Sequence, residues 1–570
     1  MATFQDYKNT VDRIKQGIAE RPSYDQLQRL YTAAFYILQD FQEEKEYVFK
    51  ITGYVKFWSA SILNKTGNAE YNELYYKTLL LEAQNHNVDS GLLYLERYRD
   101  AEDKFYMPRR KQFLEYGLIQ SLQDLIDDKI DILSLSLPPG TGKTTLGEMF
   151  VSLFIGWFPD TCNLFSSHSG HVTRMVYDVV CNVIGINLKK GQIAEYAWKE
   201  IFPNVSFENC NAQEQTINLG KFKPFKSLTC RALGASQTGV TRAEGLLYCD
   251  DLCSGIEQAL SKIRLDKLWT MYSTDLKTRK KKGKGGRTCK EIHIATRWSV
   301  WDVIGRIKTI YENNKRCKFI SIPDINPETG ESNFDFLYGV GFDVEYFEDI
   351  EKSLDDITYK CLYKNEPVER EGILYNPDIL NRSDTLPEKE PDGIWAFCDT
   401  KDSGTDYNCL GVFYQYGKDY YLHDMVFQNI DPYMLDDINA DCLVRNKVHI
   451  AVFESNKEGG RTGDKVQEKV KEKGGRCSIQ KRYTTQNKET KIIVNSPWVI
   501  EHVIFKYPKS EDHPEGYEVK SDYGQFMSWL CAYSQLAKNP KDDAPDMVSM
   551  LAVYMSTGIA KPTQIINSPY

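Results

Sequence analysis

The sequence predicts an α/β protein in which a helical amino-terminal region is followed by two sheet-containing domains. Three observations carry this prediction. Residues 131–158 read in order as a strand, a glycine-rich loop and an apolar helix. Residues 245–251 form an apolar stretch that ends in two aspartates, and a regular series of strands and helices begins at residue 394. Because strands and helices alternate in both halves, a sheet covered by helices is expected in each.

Composition limits the class of protein before any motif is considered. The chain has 570 residues, of which 41% are hydrophobic, enough for more than one domain with its own core. Its net charge of −9 argues against a protein that simply coats nucleic acid, although local basic surfaces remain compatible with it. None of the 14 cysteines falls in a CxxC pair, so free thiols in a reducing cytosol are expected. No apolar run approaches the ~18 residues of a membrane helix.

Residues 1–105 are expected to be helical. The segments YTAAFYILQDF, YNELYYKTLLLEAQ and GLLYLERYRDAEDKF each place apolar residues at helical spacing. Their aromatic residues are interpreted as core rather than as a platform for a ligand. Nothing in this region points to chemistry, so it is interpreted as a helical docking module.

The stretch LPPGTGKTT, residues 137–145, has the residue types of a phosphate-binding loop. Its glycines let backbone N–H groups turn toward an anion, and the following helix adds the positive end of its dipole. Lys143 is expected to reach the β- and γ-phosphates of ATP, and the Thr144 hydroxyl to ligate Mg²⁺. Leu137 departs from the common GxxxxGKT pattern, so a glycine-rich turn with a solvated lysine is the alternative. The predicted ATP-binding residues here are Pro139, Gly140, Thr141, Gly142, Lys143, Thr144 and Thr145.

Residues 106–120, YMPRRKQFLEYGLIQ, directly precede the strand that leads into the phosphate loop. Nucleotide-driven motors often carry a glutamine or arginine in this place that touches the adenine. Gln112 and either Arg109 or Arg110 are the candidates for that contact, and a solvated helix start is the alternative.

Residues 163–180 predict a strand, a polar turn and a helix, which is a second α/β unit beside the first. His168 and His171 have HxxH spacing in this turn, but no carboxylate or cysteine lies at ligand spacing from them. They are interpreted as loop or helix-start residues rather than as metal ligands.

The stretch GLLYCDD, residues 245–251, predicts a buried strand that delivers two acids to the nucleotide. Asp250 is expected to join the Mg²⁺ shell, and Asp251 lies where a water-activating catalytic carboxylate is expected. An apolar run that ends in two aspartates is common by chance, but it becomes specific after a GKT stretch in an α/β context. The second acid is more often glutamate, and aspartate has a shorter reach.

Two later stretches carry charge or polarity near this unit. Residues 277–287, KTRKKKGKGGR, hold seven basic residues and fit equally a solvated loop or a contact with a nucleic-acid backbone. Residues 291–298, EIHIATRW, predict a strand whose end residues, Thr296 and Arg297, are placed to sense the γ-phosphate; a strand end with a buried tryptophan is the alternative. An arginine from the same chain or from a neighbouring copy is expected to complete the ATP site, and Arg242 and Arg297 are the candidates.

The stretches PPGTGKT, YCDD and IATRWSVWDVIG, in this order and spacing, resemble the large subunit of a tailed-bacteriophage terminase. The resemblance extends from about residue 106 to the end of the chain, and YKCLYKNEPVEREGILY is similar to the family's junction between two domains. It implies a P-loop ATPase domain at 106–335, a junction at 336–385 and an RNase H-like nuclease domain at 386–570, after the helical region 1–105.

The same resemblance implies an activity, cofactors and partners. The implied activity is ATP-driven translocation of double-stranded DNA into a procapsid, with metal-dependent endonucleolytic cutting of concatemeric DNA. The expected cofactors are ATP with Mg²⁺ at the first site and two Mg²⁺ or Mn²⁺ ions at the second. The expected partners are double-stranded DNA, a small terminase subunit and a portal protein that carries a homo-oligomeric ring of this chain. The expected location is the host cell cytoplasm, without a membrane partner.

The order of elements after residue 393 predicts an RNase H-like fold from the residues themselves. IWAFCD is expected to be a strand that ends in Asp399. Two more strands, NCLGVFYQY and DYYLHDMVF, and a helix precede the strand VHIAVFE, which ends in Glu454. In the β-β-β-α-β-α order of this fold the first and fourth strands are neighbours, so Asp399 and Glu454 are expected to meet. The later segments TGDKVQEKVKEK, KETKIIVNSPWVIEHVIF and GQFMSWLCAYSQLAK are expected to be helical.

A third acid is expected at the start of the late helix DDAPDMVSMLAVYMS. Asp546 is the predicted catalytic ligand, with Asp543 as the alternative metal ligand and Asp406 as an auxiliary acid. Three carboxylates on separate elements can hold two divalent ions ~3.5–4 Å apart, and an all-oxygen site suits Mg²⁺ or Mn²⁺. The terminase resemblance implies the same nuclease set, Asp399, Glu454 and Asp546.

Other interpretations remain open at this point. Lys488 and Lys491 fit equally DNA-backbone contacts or solvated residues at a helix start. A helicase fused to a nuclease is one alternative function, but no recognisable helicase motif follows residue 302. A non-catalytic docking subunit with purely structural acids is another, and the combination of a GKT loop, a DD strand and three placed acids argues against it.

Overall fold

The computed structural model describes residues 3–186, 194–221, 223–235, 241–255, 258–259, 262–283, 286–354, 356–367, 372–400, 407–454, 459–483, 487–535, 539 and 542–556. Along these residues the α-helices are α1 (Phe4–Gln16), α2 (Tyr24–Asp40), α3 (Lys45–Thr66), α4 (Ala69–Gln84), α5 (Val88–Leu95), α6 (Tyr106–Glu115), α7 (Leu118–Ile126), α8 (Lys143–Trp157), α9 (Gly170–Val183), α10 (Trp198–Ile201), α11 (Lys262–Met271), α12 (Val303–Tyr311), α13 (Val344–Ser353), α14 (Asp356–Leu362), α15 (Pro432–Arg445), α16 (Gly459–Glu472), α17 (Lys488–His502), α18 (Asp522–Ala532) and α19 (Asp543–Ser556).

The strands belong to two large sheets and one short hairpin. They are β1 (Ile132–Ser136), β2 (Leu164–Ser167), β3 (Phe207–Asn211), β4 (Thr216–Leu219), β5 (Leu228–Ala232), β6 (Leu246–Asp250), β7 (Lys290–Ala295), β8 (Cys317–Ser321), β9 (Asp335–Phe336), β10 (Val340–Gly341), β11 (Asn381–Arg382), β12 (Gly393–Asp399), β13 (Asn408–Tyr416), β14 (Asp419–Gln428), β15 (Ile450–Glu454), β16 (Ser478–Arg482) and β17 (Val503–Phe505). Short 3-10 turns lie at Gln42–Glu44, Ala101–Asp103, Lys277–Arg279 and Leu337–Gly339, and a π-helical turn at Tyr272–Leu276.

The amino-terminal region is helical, as predicted, and helices α1 to α4 bury apolar residues in a core of their own. The helix expected at GLLYLERYRDAEDKF is shorter than the prediction, since α5 ends at Leu95. The chain turns there because the buried Glu96 carboxylate accepts the backbone N–H groups of Phe105 and Tyr106, at 2.7 and 2.8 Å. These bonds fix the start of α6.

Helix α5 and the end of α4 pack against α8, the helix that follows the phosphate loop. The Trp157 indole on α8 donates to the Ala83 carbonyl at 2.7 Å. Gly91 lies so close to α8 that a Cβ there would be 3.0 Å from a methyl carbon of Leu153. The end of α4, helix α5 and the first sheet therefore share one hydrophobic core.

The first sheet has the strand order β3-β4-β5-β2-β6-β7-β1-β8. Strands β5, β2, β6, β7, β1 and β8 are parallel, whereas β3 and β4 add an antiparallel edge. The predicted strands β1, β2, β6 and β7 are confirmed, and β6 is buried along its whole length, as a central parallel strand should be. Strand β3 is exposed and β8 only partly buried, so neither has the apolar run that identifies a strand in the sequence.

This strand order brings the carboxyl ends of β1, β6 and β7 to one edge of the sheet. Asp250 on β6 pairs in register with Ile294 on β7, and the last residues of β1 and β7 pair with each other. The loop 137–142 follows β1 and Thr296 follows β7. The predicted ATP-site residues therefore lie side by side at the edge where parallel sheets bind ligands.

The second sheet has the order β11-β17-β14-β13-β12-β15-β16. Strands β12, β13 and β14 form an antiparallel meander, and β15 lies parallel to β12 on its other side. The predicted RNase H-like arrangement, with its first and fourth strands adjacent, is confirmed. Because Cys398 pairs in register with Phe453, the next residues, Asp399 and Glu454, lie next to each other.

Two parts of this domain differ from the sequence prediction. The helix expected through residue 505 ends at His502, and Val503–Phe505 form a strand that pairs with β14 and β11. Three consecutive apolar residues carry no period that separates helix from strand. Strand β16 is not identified in the sequence because it is a partly exposed edge strand with polar residues.

Helices cover both faces of the second sheet. Helices α17, α18 and α19 pack on one face, and α15 and α16 pack on the other. All 14 cysteines lie within the described residues and none of them is disulfide-bonded, as predicted. None of the described helices is both long and apolar enough to cross a membrane.

Candidate active sites

The phosphate loop joins β1 to α8 and has the backbone conformation that its glycines predict. Gly140 and Gly142 have φ values of 77° and 94°, which L side chains rarely adopt. A Cβ at Gly142 would also lie 2.5 Å from the ring of Phe105. Thr141 holds the turn by donating to the Pro138 carbonyl at 2.8 Å. The loop ends at the amino terminus of α8, where unpaired N–H groups and the helix dipole favour an anion.

The predicted phosphate lysine, catalytic acid and γ-phosphate sensor are in contact with one another. The Lys143 ammonium donates to the Thr296 hydroxyl at 2.7 Å and lies 3.9 Å from Asp251 Oδ2. Asp251 Oδ1 accepts the Thr296 backbone N–H at 3.0 Å. Asp251 has a φ of 40°, a left-handed conformation that is uncommon outside glycine. Its backbone is therefore held in a constrained position between β6 and β7.

Asp250 lies beside Thr144, which is on the first turn of α8. Burial above all, with the neighbouring Asp251 charge, raises the pKa of Asp250, although the nearby Thr144 hydroxyl opposes the shift. Its Oδ2 accepts from the Tyr248 hydroxyl at 3.4 Å, whereas its Oδ1 is buried without a hydrogen-bond partner among the described residues. A buried carboxylate oxygen without a partner is costly. Thr144 and Asp250 therefore fit the predicted Mg²⁺ ligands.

Two residues next to Asp250 were given no role by the sequence analysis. Tyr248 is fully buried, and Glu148 on α8 is 7% exposed. Burial, with Asp250 nearby, raises the pKa of Glu148 to about 8, so it is mostly protonated at neutral pH and adds little charge beside Asp250. Position gives the only signal in the sequence: Tyr248 precedes Asp250 by two residues on a strand, and Glu148 follows Thr144 by four on a helix.

Replacing Gly147 with alanine is expected to lower the melting temperature and slow ATP hydrolysis. A Cβ at Gly147 would lie 2.0 Å from the Tyr248 hydroxyl and 2.9 Å from Ile294 Cδ1, so α8 must shift. Such overpacking typically costs about 1–3 kcal/mol. Gly53→Ala on α3 is the matched control: no atom lies within 4 Å of its Cβ, and the chain should be slightly stabilised. Equal melting temperatures for the two variants would contradict this account of the packing under the loop.

Helix α6 lies against the phosphate loop and carries the residues considered for the adenine. Gln112 Nε2 donates to the Asp335 carbonyl at 2.9 Å, and its Oε1 is buried without a partner among the described residues. A Cβ on the second loop glycine would be 3.3 Å from Arg109 Nε. Arg110 instead bonds Asp89 twice, at 2.7 and 2.8 Å. Of the two arginines, only Arg109 is beside the loop.

Neither arginine considered for completing the ATP site is presented to the site of its own chain. Arg297 is 7% exposed, and its Nε lies 2.9 Å from Asp302 Oδ2 at the start of α12. Arg242 precedes β6 and pairs with Glu244 at 2.7 Å, at the end of the sheet opposite the phosphate loop. A contribution in cis is therefore not supported, and an arginine from a neighbouring copy is what remains of the prediction.

His168 is a loop residue, as expected, but it lies at the ATP-site edge. Its Nδ1 is 2.9 Å from the backbone carbonyl of Asp251. Within the described residues neither His168 nor His171 joins a cluster of potential metal ligands.

Much of the charge in the basic stretch 277–287 is used inside the protein. Lys280 pairs with the buried Glu291 at 2.6 Å, and Lys277 donates to the Tyr311 hydroxyl at 2.8 Å. Arg287 donates to the backbone carbonyl of Ile126 at 2.7 Å. Lys281 and Lys282 are exposed, and Lys284 lies outside the described residues. The structure thus gives this stretch internal roles that the sequence does not reveal.

The three acids predicted for the second site are brought together by three different elements. Asp399 ends β12, Glu454 ends β15 and Asp546 lies in the first turn of α19. All three are buried, and one carboxylate oxygen from each lies within 4.8 Å of the others. Carboxylates this close repel one another unless a cation is bound between them. The all-oxygen donor set fits Mg²⁺ or Mn²⁺.

The pKa values of these acids reflect their burial and the closeness of the other carboxylates. Burial, with repulsion from Asp546, Asp543 and Glu454, raises the pKa of Asp399 well above its usual range, against the opposing effect of Lys488. Burial likewise raises the pKa of Asp546 to about 6. Because both values are raised, these acids favour the folded chain most at low pH, and that contribution is lost as pH rises through about 6.

Lys488 and Lys491 lie against the carboxylates. Lys488 Nζ is 3.1 Å from Asp399 Oδ2, 2.8 Å from Asp542 Oδ1 and 3.5 Å from Asp546 Oδ2. Lys491 is 3% exposed, and its Nζ is 2.5 Å from Asp546 Oδ1. The interpretation of Lys491 as a solvated helix-start residue is therefore wrong. Both lysines have carboxylate partners, so neither is presented to a DNA backbone as an uncompensated charge.

Asp543, the alternative third ligand, lies one turn before Asp546 and is 7% exposed. Its Oδ2 accepts the Tyr407 backbone N–H at 3.2 Å, and its Oδ1 is 3.5 Å from Lys488 Nζ. Among the described residues the cluster of mutually close oxygens contains Asp546 and not Asp543. Distance therefore favours Asp546 as the third ligand, with Asp543 beside it. The predicted auxiliary acid Asp406 lies outside the described residues.

Comparison with known proteins gives a likeness in structure only. No protein-family model matches the sequence, and no curated protein matches it. The structure is similar to the large terminase of bacteriophage HK97, with a TM-score of 0.33 and 11% identity over 84% of this chain and 99% of that one. It is similar to the large terminase of the thermophilic bacteriophage D6E, with a TM-score of 0.31 and 11% identity over 74% and 97%. The human cytomegalovirus terminase nuclease domain matches 31% of this chain and 90% of its own length, with a TM-score of 0.24 and 11% identity.

Proposed function

We propose that this chain is the large subunit of a viral terminase, which uses ATP to translocate double-stranded DNA into a procapsid and cuts concatemeric DNA. One observation carries the proposal: the same chain holds a phosphate loop and, on an RNase H-like sheet, three buried carboxylates with oxygens within 4.8 Å of one another. The order of the PPGTGKT, YCDD and IATRW stretches supports a terminase rather than another ATP-driven nuclease.

At the first site, residues 137–145 would bind the phosphates of ATP, and Lys143 would neutralise charge that develops on the γ-phosphoryl group. Thr144 and Asp250 would hold Mg²⁺, as the unpartnered Oδ1 of Asp250 suggests. Asp251 would orient and deprotonate the attacking water. Its contact with the Thr296 backbone supports this role, because it fixes the carboxylate beside Lys143. Gln112 would contact the adenine.

At the second site, Asp399, Glu454 and Asp546 would hold two Mg²⁺ or Mn²⁺ ions, with Asp543 close enough to assist. Bound ions of this kind activate water and stabilise the leaving oxygen of a phosphodiester. The chain's own contribution is to hold the carboxylates close together on a rigid sheet edge. Lys488 and Lys491 support this by placing positive charge beside acids whose pKa values are raised by burial.

Each sheet is proposed to carry one activity: residues 106–335 hydrolyse ATP, and residues 386–570 cleave DNA. The proposed partners are the portal protein, a small terminase subunit and further copies of this chain in a ring. Such a ring would allow the arginine that completes each ATP site to come from a neighbour. The proposed location is the host cell cytoplasm.

The full-length chain provides the test. Supercoiled plasmid with Mn²⁺ is expected to be nicked and linearised, and ATP with Mg²⁺ is expected to be hydrolysed; EDTA should stop both reactions. ATP hydrolysis without any cleavage by a folded chain would contradict the nuclease half of the proposal. Cleavage without ATP hydrolysis would contradict the motor half.

A further inference from the structure

A nuclease site lined by carboxylates needs positive charge nearby, because DNA carries a negatively charged phosphate at every nucleotide. The lysines and arginines around the three carboxylates therefore indicate where a DNA phosphate would bind. Lys488 and Lys491 have carboxylate partners in the site itself. Lys481 at the end of β16 pairs with Asp464 at 2.5 Å.

Arg482 differs from these lysines. It is the last residue of β16 and pairs in register with Glu454 on β15. Residues paired across neighbouring strands project their side chains on the same face of a sheet, so Arg482 lies on the same side as the metal ligand Glu454. Among the described residues no carboxylate lies within ion-pair distance, 4.0 Å, of the Arg482 guanidinium.

The Arg482 guanidinium is held by an aromatic ring. Its central carbon lies 4.5 Å from the ring centroid of Tyr554, on the helix that carries Asp546. The Tyr554 hydroxyl donates to Gln480 Oε1 at 3.0 Å, so the ring is itself fixed to β16. Stacking of this kind orients a guanidinium without neutralising its charge. The next residue, Tyr483, is 72% exposed.

We propose that the end of β16 is a DNA-binding element of the nuclease site, in which Arg482 binds a backbone phosphate next to the scissile phosphodiester. A planar guanidinium that is fixed on an aromatic face can bind a phosphate through two parallel N–H bonds. This inference rests on the proposed nuclease function and adds a residue that contacts the substrate.

The test compares two arginines near opposite ends of the same strand in the full-length chain. Arg482→Ala removes the proposed contact, and Arg476→Ala removes an exposed arginine that lies two residues before β16. Binding of a short DNA duplex in Ca²⁺ is measured by fluorescence anisotropy over a series of salt concentrations. Arg482→Ala is expected to weaken binding roughly tenfold and to reduce the slope of log Kd against log salt by about one. Arg482→Lys should keep the slope, and Arg476→Ala should leave both quantities unchanged.

ATP hydrolysis serves as the measure of folding, because Arg482 lies on the other sheet. The inference is overturned if Arg482→Ala matches Arg476→Ala in affinity and slope, or if duplex binding is absent in the wild-type chain. If the wild-type chain binds and cleaves DNA while Arg482→Ala behaves like it, the inference alone fails and the nuclease function stands. If the wild-type chain binds DNA and never cleaves it in Mn²⁺, the proposed nuclease function fails, and the assignment of Arg482 to a nuclease site fails with it.

Discussion

Replacing Asp399 with asparagine is expected to abolish DNA cleavage and to leave ATP hydrolysis unchanged. Asp399 contributes one of the three oxygens that lie within 4.8 Å of one another, and it is 7% exposed. An amide in its place removes a negative charge from the ion-binding set, and bound ions lower such barriers by several kcal/mol. A loss of roughly a thousandfold in cleavage rate is therefore expected. Nicking of supercoiled plasmid in Mn²⁺ measures it.

The matched control is Asp441→Asn on α15. Asp441 is exposed and pairs with Lys473 at 2.7 Å, so its loss should change neither activity. The melting temperature of each variant reports whether it is folded. Wild-type cleavage by a folded Asp399→Asn chain would show that the acid cluster is structural only.

Replacing Lys143 with alanine is expected to abolish ATP hydrolysis and to leave cleavage of a short duplex intact. Lys143 is 8% exposed and bridges Thr296 and Asp251 at the edge of the first sheet. In the proposed mechanism its charge would act on the transferring phosphoryl group, and one such interaction contributes about 10²–10³ in rate. Phosphate release from ATP under single-turnover and steady-state conditions measures the loss.

Lys129→Ala is the control for this variant, because Lys129 is a surface residue of the same domain whose side chain is 52% exposed. Its ATP hydrolysis should equal that of the wild type. If Lys143→Ala also loses cleavage of a short duplex, the two sites are not independent and the assignment of one activity to each sheet is wrong. Retained hydrolysis in Lys143→Ala would contradict the phosphate loop itself.

The parts of both sites that the sequence predicts share one property: they lie at the ends of buried strands. Asp250, Asp399 and Glu454 each follow an apolar run that a single chain segment reveals. Parallel neighbours end at one edge of a sheet, so recognising the strands was enough to expect the acids to meet. To predict Asp546, the sequence analysis also used the expectation that a late helix of an RNase H-like fold supplies the third acid.

Contacts between distant segments could not be predicted in this way. Lys488 meets Asp399 across 89 residues of sequence, and Lys143 meets Thr296 across 153. Nothing local distinguishes a lysine that faces an acid cluster from one that faces solvent. The local sequence was equally uninformative for Arg110. It made Arg110 a candidate for contact with the adenine, whereas in the structure Arg110 pairs with Asp89.

Edge strands explain the strands that the sequence analysis missed at the outer edges of the two sheets. Strands β3 and β16 lie at the outer edges of the two sheets and have exposed or partly exposed residues. An exposed edge tolerates polar side chains and so loses the apolar alternation by which strands are identified. Arg482 is an example: the edge strand β16 carries an arginine in register with Glu454.

The central claim is that Asp399, Glu454 and Asp546 bind the ions that cleave DNA, and the position of Mn²⁺ in crystals tests it most directly. Anomalous scattering from crystals of the wild-type chain soaked in Mn²⁺ should give density within bonding distance of carboxylate oxygens from all three residues, and crystals of Asp399→Asn should lose it. Density bound by other residues alone, or none between the three carboxylates when Mn²⁺ is present at millimolar concentration, would contradict the account.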